Sequence, residues 1–298
     1  MVTAATEHKR KQLLDFIDRK LAPHSAIQAV IGVGSIATGQ ARPGSDIDAF
    51  VFMDPLDLYL VPAESIWRPR DDTFHSIMGG EDGLDREGIQ LDLHRIDLRV
   101  WCDAAYSWPE PSRYELANGW IAFDRDGEVR RLIDERTTYP DDERQRILDN
   151  AMPLISDHLA EDVVSRCWDT LGPLVAGDRL QSVYEYLVQA LFAYNRQWRG
   201  WRNREMTPLM RLPWLPSDFD DHIMVAALGG AGDDRSAYIG RAKALKQLSN
   251  QLLERLVADG IYGDFEPIDE AFIRAHDEPG RAWNMDDWNA RHATRHVS

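Results

Sequence analysis

Asp46 and Asp48 stand two residues apart in the segment Gly44-Ser45-Asp46-Ile47-Asp48-Ala49-Phe50-Val51. On a β-strand that spacing points both side chains to one face, with their Cα atoms about 6.5 Å apart. Paired carboxylates in this arrangement suit a divalent cation such as Mg2+, which usually takes one or two of them and fills its octahedron with water and substrate phosphate. Three carboxylates can hold two such ions about 3.5 to 4 Å apart, an arrangement suited to in-line displacement at phosphorus. Two acids in Gly88-Ile89-Gln90-Leu91-Asp92-Leu93-His94-Arg95-Ile96-Asp97-Leu98 compete for the third place. They are five residues apart, so a continuous strand turns them to opposite faces. Asp92 is preferred, because Gly88-Ile89-Gln90 makes a clean strand entry and His94 flanks it on the same face; Asp97 is the alternative.

Gly34-Ser35 supplies the other half of the chemistry. Glycine lets the backbone approach a phosphate closely, and a serine at a helix start offers it an amide and a hydroxyl. Thr38 and Gly39 could continue the cradle. Two readings of Asp46 stay open: it follows Pro43-Gly44-Ser45 and could merely cap that turn. Asp48 lies among Ile47, Ala49, Phe50 and Val51, where burying a carboxylate without a partner is costly.

The elements around these residues form a compact unit. Leu13, Leu14, Phe16, Ile17 and Leu21 recur at helical spacing and predict a helix over 6–22, closed by Pro23. A β-branched run predicts a strand over 27–33 that stops at Gly34-Ser35, where a short helix begins. The turn Arg42-Pro43-Gly44-Ser45 feeds a second strand over 46–53. Residues 55–88, with Gly79, Gly80, Gly83 and Gly88 among many charges, read as irregular. Residues 89–100 alternate as one or two further strands that Trp101 extends. From about 140 to 262 the pattern is helical, with one stripe of Val183, Leu187, Ala190, Leu191, Tyr194 and Trp198 and another of Leu245, Leu248, Leu252 and Leu256. The Leu212-Pro213-Trp214-Leu215-Pro216 turn divides it. A boundary near Pro140 gives domains of 1–139 and 140–298, the second ending in a final helix after Pro267 and a loose tail holding Arg291 to His296.

A length of 298 residues is ample for two domains, and a formal charge of −16 argues against duplex nucleic acid as partner. It better fits a small or cationic substrate. Cys102 and Cys167 form no CxxC pair and fit a reducing, cytoplasmic compartment. The N-terminus does not look like a signal peptide and no stretch is apolar enough for a membrane helix; a monomer or homodimer is expected. In the second domain, four arginines and two tryptophans crowd into residues 195–204. Arg196 and Arg199 are candidates to reach a triphosphate, against the plainer reading of helix C-terminal charge. Glu185 is a candidate base beside the apolar stripe, against the plainer reading of a surface glutamate. Trp101, Trp108 and Trp120 read as core.

Taken together, Gly34-Ser35-Ile36-Ala37-Thr38-Gly39, Ser45-Asp46-Ile47-Asp48 and Leu91-Asp92-Leu93 resemble the nucleotidyltransferase superfamily that includes polymerase beta. In style they are similar to its bacterial small-molecule members acting on aminoglycosides or lincosamides. The resemblance covers roughly residues 27–100 and implies an α/β (α+β) catalytic domain with a short mixed sheet, followed by a helical bundle that binds substrate. It implies that Gly34 and Ser35 bind the triphosphate of ATP or another NTP, that Asp46 and Asp48 chelate magnesium, and that Asp92 completes the metal site or acts as base. The activity implied is transfer of a nucleoside monophosphate to a hydroxyl of a small molecule, with release of pyrophosphate.

Three rivals are weighed. Gly32-Val33-Gly34-Ser35-Ile36-Ala37 fits the relaxed GxGxxA pattern of dinucleotide-binding folds. That pattern should open a substantial helix, whereas Gly39, Pro43 and Gly44 interrupt, and it gives no reason for Asp46 and Asp48. The acceptor could instead be a protein side chain or a tRNA 3′ end. A catalytically inactive nucleotide-binding scaffold should have lost an acid, yet both core acids are present.

Overall fold

The structure is a computed structural model that describes residues 2–78, 88–229, 234–276, 286 and 289–290. Gly79, Gly80, Gly83 and the tail from 291 lie outside the described residues. Its contacts divide the chain into two compact units, Met1–Thr138 and Tyr139–Ser298.

The first unit opens with α1 (Ala4–Phe16), where the Thr3 hydroxyl accepts from the Thr6 N–H and so satisfies one of the orphan donors of a helix start. A π-helical turn, Ile17–Leu21, carries it to Pro23. The strands are β1 (Ile27–Gly32), β2 (Ile47–Met53), β3 (Glu64–Arg68), β4 (Thr73–His75), β5 (Ile89–Asp97) and β6 (Trp120–Asp124). They join in the order β4-β3-β5-β2-β1-β6. β2 and β5 run parallel and the other neighbours antiparallel, which makes the sheet mixed.

Alternation sorts the strand side chains into two apolar layers. Ile47, Ala49, Val51, Leu91 and Leu93 pack with Leu13, Phe16 and Leu21 on one face. Phe50, Phe52, Ala29, Ile31 and Ile96 pack on the other with Trp101, Trp108, Leu116, Val129 and Ile133. That second cover comes from α3 (Leu98–Cys102), α4 (Glu110–Ala117) and α5 (Glu128–Thr137). The Trp108 indole N–H donates to the Trp101 carbonyl at 3.0 Å, so its polar edge is satisfied within the core.

Two expectations need correction. Residues 55–88 are not irregular throughout, because β3 and β4 lie there; Ser65, Ile66 and Trp67 are buried in sequence, so β3 shows no polar alternation to reveal it. The strand that begins at Ile89 does not run through Val100 and Trp101. It ends at Asp97, whose carboxylate accepts from the Arg99 N–H and starts α3.

The second unit is helical: α6 (Asp141–His158), α7 (Glu161–Tyr194), α8 (Met206–Leu209), α9 (Phe219–Leu228), α10 (Arg235–Ala258) and α11 (Pro267–His276). The mixed α/β unit followed by a helical one is the fold class expected. α7 is kinked at Gly172, whose φ of 83° is non-helical and precedes Pro173. The two leucine-rich stripes are buried as the periodicity requires. Trp198, however, lies beyond the end of α7, because Asn195 stops the helix; its side chain donates to the Leu191 and Trp214 carbonyls and accepts from the Trp214 N–H. Among the described residues, no helix is long and apolar enough to cross a membrane.

Candidate active site

The acids meet through strand register. Asp48 on β2 pairs with Asp92 on β5, and Asp92 in turn pairs with Glu64 on β3. Paired residues on neighbouring strands share a face and sit about 4.8 Å apart along the hydrogen-bonding direction, so these three form one row. Asp48 and Asp92 are half-buried and Glu64 is exposed. His94 lies on the same face, stacked on Phe50 with ring centroids 5.0 Å apart. Asp97 pairs with Met53, about 16 Å along the strand from Asp92, and its carboxylate is used as a helix cap. Asp46 immediately precedes β2. The preceding turn is closed by Ser45 instead: the Arg42 N–H donates to the Ser45 hydroxyl and the Ser45 N–H to the Arg42 carbonyl, each at 3.0 Å.

The glycine turn abuts this row. β1 gives way to α2 (Gly34–Thr38), and the Val33 N–H donates to the Asp48 carbonyl at 2.9 Å. Gly34 has a φ of 59° and Gly39 a φ of 78°, conformations that favour glycine at both ends of α2. Gly32 has a different reason: an added Cβ would lie 2.7 Å from the Ile36 Cδ1, so its place is set by packing. The Ser35 hydroxyl is buried without a hydrogen-bond partner among the described residues, an uncommon state for a polar atom and one that a phosphate oxygen would relieve. The Gly34 N–H donates to the Glu115 carboxylate of α4 at 3.2 Å, so a phosphate at this turn would take the place of that carboxylate. Thr38 lies at the other end of α2, where its hydroxyl donates to the Gly34 and Ser35 carbonyls.

The hard oxygen donors along this edge suit Mg2+ in kind. Yet among the described residues no group of three or more His, Cys, Asp or Glu side chains is gathered closely enough to hold a metal ion. A cation acts on Asp46 from α1: Lys9 is just 8% exposed, and burial pushes its ammonium below the ordinary lysine value while the Asp46 carboxylate pulls it partly back. Sequence reasoning passed over Lys9, Glu64 and Glu115. A lysine on the buried stripe of α1, in line with Leu13 and Phe16, is the one local signal for any of them; the other two become visible only through strand pairing and helix docking.

In the second unit, Arg199 pairs with Glu205, a carboxylate only 2% exposed, and Arg202 pairs with both Glu205 and Glu185. Glu185 also accepts from Gln181. Arg196 pairs with Asp141. The arginines occupy a loop and a 3-10 turn after α7 and answer specific carboxylates, which is more particular than a charge at a helix end.

Residues 10–97 match the family model described as nucleotidyltransferase domain. No curated protein matches the chain. A nucleotidyltransferase-like protein from Exiguobacterium sibiricum 255-15 is similar at 11% identity over 85% of this chain and 77% of that one, with a TM-score of 0.41. The dinucleotide-binding alternative is excluded by the sheet itself, since β1 and β2 run antiparallel and α2 is a single short helix, whereas that fold joins parallel strands through a full crossover helix. Over residues 10–97, about a third of the chain, the first unit is thus similar to a nucleotidyltransferase domain.

Proposed function

We propose that the protein transfers a nucleoside monophosphate, AMP from ATP, to a hydroxyl group of a small molecule such as an aminoglycoside or lincosamide. The observation that carries this reading is the pairing of Asp48 with Asp92 beside the Gly34-Ser35 turn, within a nucleotidyltransferase domain. Gly34 and Ser35 donate a backbone N–H and a hydroxyl to the phosphates. Asp46, Asp48 and Asp92 are the residues that would hold magnesium. The chemistry Mg2+ would supply there is neutralisation of phosphate charge. The acceptor oxygen bonds to the α-phosphorus as the α,β-bridging bond breaks, pyrophosphate leaves with that electron pair, and Asp92 takes the hydroxyl proton. Glu64, one strand beyond Asp92 and farther from the phosphate turn, stands on the acceptor's side of the row. An exposed carboxylate there favours a cationic or hydroxyl-rich acceptor.

Pyrophosphate release, measured with each NTP, Mg2+ and a panel of aminoglycosides, lincosamides, tRNA and protein acceptors, tests the proposal. Release with ATP and a small-molecule acceptor is expected. Release only with tRNA or protein would move the acceptor class, and Mg2+-independent or absent release would remove the transferase reading.

A further inference from the structure

α1 changes character halfway along its buried side. Leu13 and Phe16 are apolar, whereas Lys9 and Thr6, one and two turns before Leu13, are polar and buried. The polar half docks on the segment that carries the phosphate turn. The Arg10 guanidinium donates through Nε to the Ile36 carbonyl at 2.9 Å and through Nη2 to the Ala37 carbonyl at 3.1 Å. The Ala41 N–H donates to the Thr6 hydroxyl at 2.9 Å, the Thr3 hydroxyl to the Ala41 carbonyl at 3.0 Å, and the Thr3 N–H to the Gly39 carbonyl at 3.0 Å. Arg10 is itself fixed against the Trp120 ring, 4.9 Å from its centroid.

α2 needs such a support. A helix of five residues cannot sustain itself in water, and its last carbonyls have no partners within the helix. Ile36 is the one side chain that α2 buries fully. A cation on the C-terminal carbonyls and an anion at the N-terminal N–H groups act on the same aligned peptide dipoles and reinforce each other. We infer that Arg10 is a positioning residue for nucleotide binding: it holds α2 from its C-terminal end, so that the Gly34 N–H and the Ser35 hydroxyl are presented to phosphate. This inference rests on the nucleotidyl-transfer reading above and adds to it a residue that never touches the nucleotide.

The test is a calorimetric titration of the full chain and of Arg10→Ala and Arg10→Lys with Mg2+ and the non-hydrolysable analogue AMPCPP, beside a titration with Mn2+ alone. Hydrogen exchange of the amides over 34–41 is followed in parallel. The Arg10→Ala variant is expected to bind Mg-AMPCPP about tenfold more weakly. Its Mn2+ affinity should match the wild type, amide exchange over 34–41 should speed up, and Arg10→Lys should recover part of the nucleotide affinity. Wild-type nucleotide affinity in Arg10→Ala overturns the inference and leaves the transferase reading standing. Equal losses of Mn2+ and nucleotide affinity, in Arg10→Lys where Arg10→Ala does not fold, overturn it as well, because they mark a general structural role. Failure of the wild type to bind Mg-AMPCPP removes both.

Discussion

At the scale of single residues, the row of carboxylates makes a sharp distinction between two acids that look alike in sequence. Asp92 lies beside Asp48, while Asp97 caps α3 at the far end of the same strand. Replacing Asp92 by Asn is therefore expected to abolish pyrophosphate release with little change in stability. Asp97→Ala should leave release intact and cost about 1 kcal/mol in unfolding free energy, the usual loss for a helix cap. Steady-state release assays and urea unfolding of the two variants check this, and loss of release in Asp97→Ala with retention in Asp92→Asn would reverse the assignment. Asp46, Asp48, Gly34 and Ser35 could be put forward from the sequence because their relation is local, a matter of spacing along one strand and one turn. Glu64 and Glu115 were not, because each reaches the site through a partner distant in sequence: Glu64 through the β3–β5 register and Glu115 through a bond to Gly34 across 81 residues.

At the scale of elements, the strongly periodic segments were readable and the short ones were not. α1, β1, β2 and α10 announce themselves through runs of apolar spacing, while β3, β4, α3 and β6 are each five residues or fewer and hold too few periods to be recognised. Anchoring of the last described helix is also non-local. Arg274 of α11 forks onto Asp149 of α6 with bonds of 2.8 and 2.9 Å, and Asp149 is only 3% exposed. Arg274→Ala would take the cation from that buried carboxylate, leaving it the Gln145 amide, and is expected to cost about 3 kcal/mol, read as a fall in the denaturation midpoint; an unchanged midpoint would mean that the Arg274–Asp149 pair contributes nothing to stability. α6 carries a second buried polar group. The His158 Nδ1 has no hydrogen-bond partner among the described residues, and burial, reinforced by Arg179, pushes its pKa below the ordinary 6.5. The unfolded chain then binds the proton more readily, so this contribution to stability is complete above pH 6.5 and is lost as pH falls toward the lower folded value. Thermal unfolding of wild type and His158→Gln across pH 7.5 to 5 should show a steeper acid loss in the wild type, and parallel curves would contradict it.

At the scale of the molecule, the proposed function sets a formal charge of −16 against a polyanionic co-substrate. On the proposed reading the N–H and hydroxyl donors of Gly34 and Ser35 would answer the phosphates, and a divalent cation would offset the surrounding carboxylates. Nucleotide binding should therefore depend on the metal, and on Asp48 in particular. The most direct measurement is equilibrium binding of Mg-AMPCPP to wild type and to Asp48→Asn, with and without EDTA. The account predicts binding by the wild type that EDTA removes and that Asp48→Asn weakens at least tenfold, since a metal-holding carboxylate is lost. Equal binding by the two proteins, or binding indifferent to EDTA, would contradict the assignment of Asp48 to a metal-dependent nucleotidyl-transfer site.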